Sequence, residues 1–135
     1  MPPSPKLSAS THLDVARRFQ DEALQLRPTF AGWGITCAFY AAAHFVRAYL
    51  VARHRVNVDS HKETYSEFGK HGEMSGVRRP YEKLETLSRS HRYLNRTCTP
   101  EEVDLVLKDY VGPVRDWCER EIRIHSPESD PGFAP

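Results

Sequence analysis

Two pairs of arginine and histidine residues lie close together in the sequence and carry side chains suited to chemistry at a phosphodiester. One residue separates Arg89 from His91, and five residues separate Arg55 from His61. A histidine can act as a general acid or base toward a 2′-hydroxyl or a leaving oxygen. An arginine can stabilise the negative charge that develops on the phosphoryl oxygens. If the protein cleaves RNA, these four residues are the candidates for catalysis, and the first pair is preferred.

A line of polar residues interrupts the most apolar stretch of the chain. Thr36, Tyr40, His44 and Arg47 recur at intervals of four, four and three, which places them on one face of a predicted helix. One interpretation is a set of buried polar groups satisfied by neighbouring helices. The other is a face turned toward a ligand or a second subunit, since a symmetric dimer would supply the missing partners. The last three residues of this line are therefore candidate binding or interface residues.

Basic residues cluster in two places, although the chain as a whole is nearly neutral. The clusters are Arg89, Arg92 and Arg96 on one side of a predicted helix, and Arg47, Arg53 and Arg55 in an acid-free stretch. Arginine clusters can bind phosphates, so Arg92 and Arg96 are candidate RNA- or nucleotide-binding residues. A solvated helix face explains them equally well. His91 lies on the opposite, leucine-rich stripe, where a core histidine is the alternative to a catalytic one.

The overall composition excludes several classes of protein. The 135 residues suit one domain, and a net charge of +1 predicts neither a general nucleic-acid binder nor a membrane-surface protein. Three cysteines without C-x-x-C spacing indicate reduced thiols in a cytoplasmic protein, with no disulfide framework and no zinc site. Gly-rich phosphate loops, H-E-x-x-H and G-x-S-x-G motifs are missing, so no cofactor or metal is expected.

Apolar periodicity predicts helices throughout and no strands. Tails are expected at residues 1–10 and 126–135, around a single domain at 11–125. Within it we predict helices from Thr11 to Pro28, from Phe30 to His54, from the Ser60 cap to Gly69, from Pro80 to Asn95, and from the Thr99 cap onward with a kink at Gly112-Pro113. Residues 70–79 are expected to form a loop. The predicted fold is all-α, an antiparallel four-helix bundle plus one short helix.

Several of these segments together resemble one known family. They are Ala38-Phe39-Tyr40-Ala41-Ala42-Ala43-His44, Arg47-Ala48-Tyr49-Leu50, Asp59-Ser60-His61-Lys62 with Phe68, and Leu87-Ser88-Arg89-Ser90-His91-Arg92-Tyr93. This pattern resembles the HEPN domain, here in a small stand-alone form covering about residues 11–124. The resemblance implies a helical bundle that usually dimerises. Many HEPN proteins are metal-independent ribonucleases of toxin–antitoxin or defence systems. They place an Arg and a His in a composite cleft between two subunits. Others bind RNA, a nucleotide or a nucleotidyltransferase partner.

The chain departs from the catalytic pattern of that family. Only one residue separates Arg89 from His91, and Arg55 and His61 lie in the loop after the second helix. The preferred hypothesis is therefore a dimeric HEPN-like module with a degenerate catalytic motif that binds RNA, a nucleotide or a partner protein, away from membranes. The alternatives are an active metal-independent ribonuclease and a helical scaffold without a nucleic-acid role. In an active enzyme, Arg89 and His91 of two subunits should meet in an exposed cleft; in a binding module, His91 should be buried against the leucines.

Overall fold

A computed structural model describes residues 7–93 and 97–125, with the backbone alone for Arg92, Tyr93 and His125. All regular elements among these residues are helical, which confirms the predicted all-α class. The elements are α1 (Ala9–Leu26), α2 (Ala31–Tyr49), α3 (His61–Lys70), α4 (Ser75–Tyr93), α5 (Pro100–Val106) and α6 (Gly112–His125). The predicted tails lie outside the described residues, except for residues 7–10.

Two helices contain a π-turn, in which the helix widens by one residue. Leu50–His54 is a π-turn at the end of α2, and Leu107–Val111 is a π-turn that joins α5 to α6 without a break. A short 3₁₀ turn, Gly72–Met74, leads from α3 to α4. Counting the joined segments once, the described residues form five helices, of which α3 is the short one.

The central element is α2, because its apolar residues cover nearly its whole circumference. It packs along α1 and also contacts α4, α5 and α6. By length and composition alone, the stretch Ala31–His54 is able to cross a membrane. An 18-residue window within it has a mean hydropathy of 1.4, but 67% of that window is buried inside the protein. Burial of this kind is typical of a core helix that is covered on most sides by its neighbours.

Side-chain caps at the predicted helix starts are mostly confirmed. Ser60 Oγ accepts the backbone N–H of Glu63 at 3.1 Å, and Thr99 Oγ1 accepts that of Glu102 at 3.3 Å. The start of α1 differs from the prediction, since Ser8 caps it by accepting the backbone N–H of Thr11 at 3.1 Å. The helix consequently begins at Ala9, two residues before the predicted start at Thr11.

The predicted loop at 70–79 and the predicted helix start at Pro80 are wrong. The helix α4 begins at Ser75 and contains Pro80 in its interior. Four fully buried residues, Met74, Val77, Tyr81 and Leu84, continue one apolar stripe through this region at intervals of three, four and three. Packing of that stripe against the core outweighs the one backbone hydrogen bond that the proline removes.

The final helix continues past the Gly112-Pro113 pair without ending, as predicted. Its regular pattern is interrupted by the π-turn Leu107–Val111, which is completed directly before the glycine. Proline lacks the N–H of a regular helix, and its ring needs space near the preceding turn. A widened turn supplies that space, so the chain stays helical from Pro100 to His125.

At Gly34, atoms of α1 and α5 lie close to the backbone of α2, and adding a methyl group there is expected to destabilise the fold. A Cβ atom at Gly34 would lie 3.2 Å from the carbonyl oxygen of Ala23 and 3.2 Å from Cγ2 of Val103. Overpacking of this kind costs about 1–3 kcal/mol. We expect Gly34→Ala to lower the free energy of unfolding by that amount in urea titrations followed by circular dichroism.

The matched control for this variant is Gly69→Ala in α3. Within the described ranges 7–93 and 97–125, no atom lies within 4 Å of a Cβ built at Gly69. Alanine is the better helix former, so this control should leave stability unchanged or raise it by up to about 1 kcal/mol. Equal stability of Gly34→Ala and wild type would show that the helices separate there without cost.

Candidate functional site

A surface pocket at the beginning of α2 contains His91, one of the predicted candidates. The pocket has a volume of about 520 Å³ and is lined by Thr29, Phe30, Ala31, Gly32, Trp33, Thr36 and His91. Its aromatic walls are open to solvent, since Phe30 is 57% exposed and Trp33 59% exposed. This volume lies within the range of small-molecule binding sites, and large exposed aromatic side chains often mark a binding surface.

The backbone at the start of α2 places N–H groups of a first helical turn beside this pocket. The first turn of a helix leaves its N–H groups without acceptors inside the helix. Among the residues that the structure describes, no side chain caps α2, and its first turn contains no acidic residue. Ala31, Gly32 and Trp33, whose N–H groups belong to this turn, all line the pocket. The positive end of the helix dipole therefore faces a cavity that could hold a phosphate.

His91 lies where the leucine stripe of α4 meets the pocket. Leu84 is fully buried, whereas Leu87 and His91 are half-buried. The imidazole therefore belongs to the core on one side and to the pocket wall on the other. Ligand atoms of His91, Cys98 and Glu102 also lie within 4.8 Å of one another.

Arg89 does not lie beside His91 at the pocket. Its guanidinium is exposed and lies 3.4 Å from Oε1 of Glu85, the same carboxylate that accepts the hydroxyl of Tyr65 at 2.9 Å. Residues two positions apart on a helix point to different sides. The predicted catalytic pair is thus split, with the histidine at the pocket and the arginine on a neighbouring face.

The residues of the second predicted pair, Arg55 and His61, also lie in different surroundings. Arg55 follows the π-turn of α2 with a left-handed backbone, φ 57°, and its side chain is exposed. His61 Nδ1 lies 2.9 Å from the hydroxyl oxygen of Tyr81, and its ring packs 4.8 Å from that of Phe39. These contacts connect the start of α3 to α4 and α2.

The polar line on α2 meets α1 at a pair of histidines. Nδ1 of His12 lies 3.0 Å from Nδ1 of His44, so one ring donates and the other accepts. Burial, reinforced by the positive charge of Arg47, lowers the pKa of both histidines to about 4. Both rings are therefore neutral at pH 7. His12 was not among the predicted residues, although its place on the buried stripe of α1 at Ala9, Ala16 and Ala23 is visible in the sequence.

Two of the four residues on the polar line, Thr36 and His44, form hydrogen bonds within the chain. Thr36 accepts a hydrogen bond from Ser88 at 3.4 Å, and Tyr40 packs 5.5 Å from Phe19. Arg47 differs, because its Nε is buried and has no hydrogen-bond partner among the described residues. The contacts favour the interpretation of buried, internally partnered groups for this face, with Arg47 as its exception.

A third cluster joins residues that are far apart in the sequence and that sequence patterns did not single out. His54 stacks on His71 with ring centroids 3.6 Å apart, and its Nε2 lies 2.9 Å from Oε2 of Glu73. The same oxygen accepts the hydroxyl of Tyr49 at 2.7 Å. Burial alone would raise the pKa of Glu73, but these hydrogen bonds lower it to about 2. The carboxylate is therefore charged throughout the physiological range.

Arg96 lies outside the described residues, and so does the side chain of Arg92. A second cleft, of about 560 Å³, lies between α1 and the last helix and includes Asp104, Lys108, Arg115 and Asp116. Its carboxylates make it less suited to an anion than the pocket at His91.

No protein-family model, curated protein or solved structure shows significant similarity to this chain. The HEPN resemblance, and every function that it implies, accordingly stay predictions.

Proposed function

We propose that this protein is a HEPN-like helical module that acts as a homodimer and binds RNA or a nucleotide. The proposed arrangement is the antiparallel four-helix bundle with one short helix that the family resemblance implies. A toxin–antitoxin or defence setting, and a nucleotidyltransferase-type partner, follow from that resemblance alone.

The observation that carries the binding proposal is the pocket at the start of α2. Trp33 and Phe30 expose two aromatic rings beside the uncapped N–H groups of a 19-residue helix. Stacking on aromatic rings is how proteins hold unpaired bases, and helix N-termini hold phosphates. A nucleotide presents both groups at once. The pocket offers complementary groups for each, and Thr29 and His91 add polar atoms at its wall.

A metal-independent endoribonuclease is the second candidate, and one observation favours it. His91 forms part of the pocket wall, where it could exchange a proton with a bound ribose or leaving oxygen. Arg89 faces away from this pocket in its own subunit, so a charge-stabilising arginine would have to come from the second subunit. The degenerate spacing makes a binding role the preferred proposal.

The decisive experiment measures binding of a labelled single-stranded RNA, a transfer RNA and ATP to the purified protein without metal. We expect Trp33→Ala to weaken binding by roughly 5- to 150-fold, because stacking contributes about 1–3 kcal/mol per base. Affinity should also fall with salt. Denaturing gels of the same samples report cleavage, and His91→Ala and His61→Ala identify the histidine if cleavage occurs.

Leu105→Ala serves as the matched control, since Leu105 is 52% exposed on a different helix. It should bind as wild type does. Equal loss of affinity in both variants would contradict a site at the pocket. A protein that neither binds nor cleaves any of these ligands would leave the helical interaction scaffold as the remaining function.

A further inference from the structure

We propose that His54, His71 and Glu73 form a binding site for a divalent transition-metal ion, with Zn²⁺ as the favoured ion. The proposal is independent of RNA binding. One ligand atom from each of the three side chains lies within 4.8 Å of the other two. Two imidazoles and one carboxylate are a common donor set for zinc, with the remaining position left to water.

The distances require only a small rearrangement to accept the ion. Two donors at tetrahedral zinc, with bonds of about 2.0–2.2 Å, stand roughly 3.3 Å apart. His54 Nε2 and Glu73 Oε2 are now 2.9 Å apart and share a hydrogen bond. The ion would take the place of that proton. The two rings, now nearly parallel with 16° between their planes, would rotate so that one nitrogen of each points at the metal.

A supporting shell of hydrogen bonds surrounds the three ligands. Oε1 of Glu67 lies 3.2 Å from Nε2 of His71, and only 8% of the Glu67 side chain is exposed. This contact orients the ring and leaves Nδ1 as the ligand nitrogen. On the other side, the Tyr49 hydroxyl donates to Glu73. Carboxylates behind ligand histidines, and hydrogen bonds to ligand carboxylates, are characteristic of metal sites.

Irregular backbone brings the three ligands together. His54 is the last residue of the π-turn Leu50–His54, and the left-handed residue Arg55 follows it. His71 directly precedes the 3₁₀ turn that contains Glu73. π-turns occur frequently at functional sites. Here the irregular end of α2 faces the irregular connection between α3 and α4.

The site is accessible from solvent, so an ion can enter. The exposed fractions of the side chains are 24% for His54, 19% for His71 and 44% for Glu73. A bound ion would link the end of α2 to the segment between α3 and α4. Its expected effect is therefore stabilisation of the native state, because the unfolded chain does not hold these ligands together.

The test is a titration of tag-free, chelator-treated full-length protein with ZnCl₂ by calorimetry, together with thermal unfolding. We expect one ion per chain and a rise in Tm of at least about 5 °C at zinc concentrations 100-fold above Kd. Co²⁺ should give the visible absorption of a tetrahedral nitrogen–oxygen site. His71→Ala should abolish zinc binding. Glu67→Gln should weaken it about 10- to 100-fold, because Glu67 orients the ring of His71.

His91→Ala is the matched control, because His91 belongs to the other group that could hold a metal, with Cys98 and Glu102. It should bind zinc as wild type does. Thiolate-to-cobalt absorption, or loss of binding in His91→Ala with retention in His71→Ala, would place the ion at Cys98 and overturn the proposal. Absence of binding at micromolar to millimolar zinc by a folded wild-type protein would overturn it as well.

Discussion

Lowering the pH from 7 to 5 is expected to destabilise the protein by about 2–4 kcal/mol through one pair of side chains, His12 and His44. Burial and the nearby charge of Arg47 lower the pKa of each to about 4 in the folded state. In the unfolded chain a histidine has a pKa near 6.5. Between these values the unfolded state binds more protons than the folded state. Stability is therefore fully present above about pH 6.5 and decreases as the pH falls toward 4.

Urea unfolding at pH 7, 6 and 5 measures this effect. The double variant His12→Asn/His44→Asn is the control, since asparagine does not titrate and still forms hydrogen bonds. The difference in stability between wild type and this variant isolates the contribution of the pair, because all other titrating groups are common to both proteins. Wild-type stability that is constant from pH 7 to pH 5 would mean that the pair is protonated without cost in the folded state.

Truncation of Tyr81 should be the most damaging single core substitution tested, with a loss of about 3–5 kcal/mol for Tyr81→Ala. Tyr81 is fully buried in α4. Its ring makes edge contacts with Phe39, Tyr65 and Phe68 at centroid distances of 5.2–5.5 Å. The variant would leave a large cavity where α2, α3 and α4 meet. Chemical denaturation at pH 7 reports the loss.

Tyr81→Phe separates packing from hydrogen bonding at this position. It keeps the ring and removes only the hydroxyl that lies 2.9 Å from Nδ1 of His61. Loss of one such bond costs about 1 kcal/mol. A Tyr81→Ala variant that loses no more stability than Tyr81→Phe would show that the cavity refills, contrary to the tight packing of the aromatic cluster.

Local sequence signals predicted the elements whose boundaries depend on local chemistry. The helix from Phe30 to His54 matches α2 with its π-turn, and the caps at Ser60 and Thr99 are confirmed. The predicted beginning of α4 was wrong because tertiary packing outweighs the local signals there. Gly72, Gly76 and Pro80 favour a loop locally, whereas burial of the apolar stripe that begins at Met74 stabilises a turn and a helix there.

The candidate site was predictable only in part. The sequence singled out His91, but Phe30 and Trp33 come from another helix, and their proximity depends on helix packing. Helical periodicity alone already separates Arg89 from His91. The metal-ligand candidates His54 and His71 escaped notice because a π-turn and a 3₁₀ turn, which have no simple sequence signature, determine their approach.

Each of the two π-turns contains one residue more than a regular helical turn needs. Removing one residue from a π-turn therefore restores regular helix and leaves the side chains beyond it facing nearly the same way. After Leu50–His54 only a loop follows, so the core would keep its contacts. Across Leu107–Val111 the buried Val106 and Val111 are five residues apart, and a deletion between them gives a helical spacing of four that continues into the buried residues of α6. The fold should therefore tolerate a one-residue deletion in either turn, and the length of both turns is free to vary by one residue among family members.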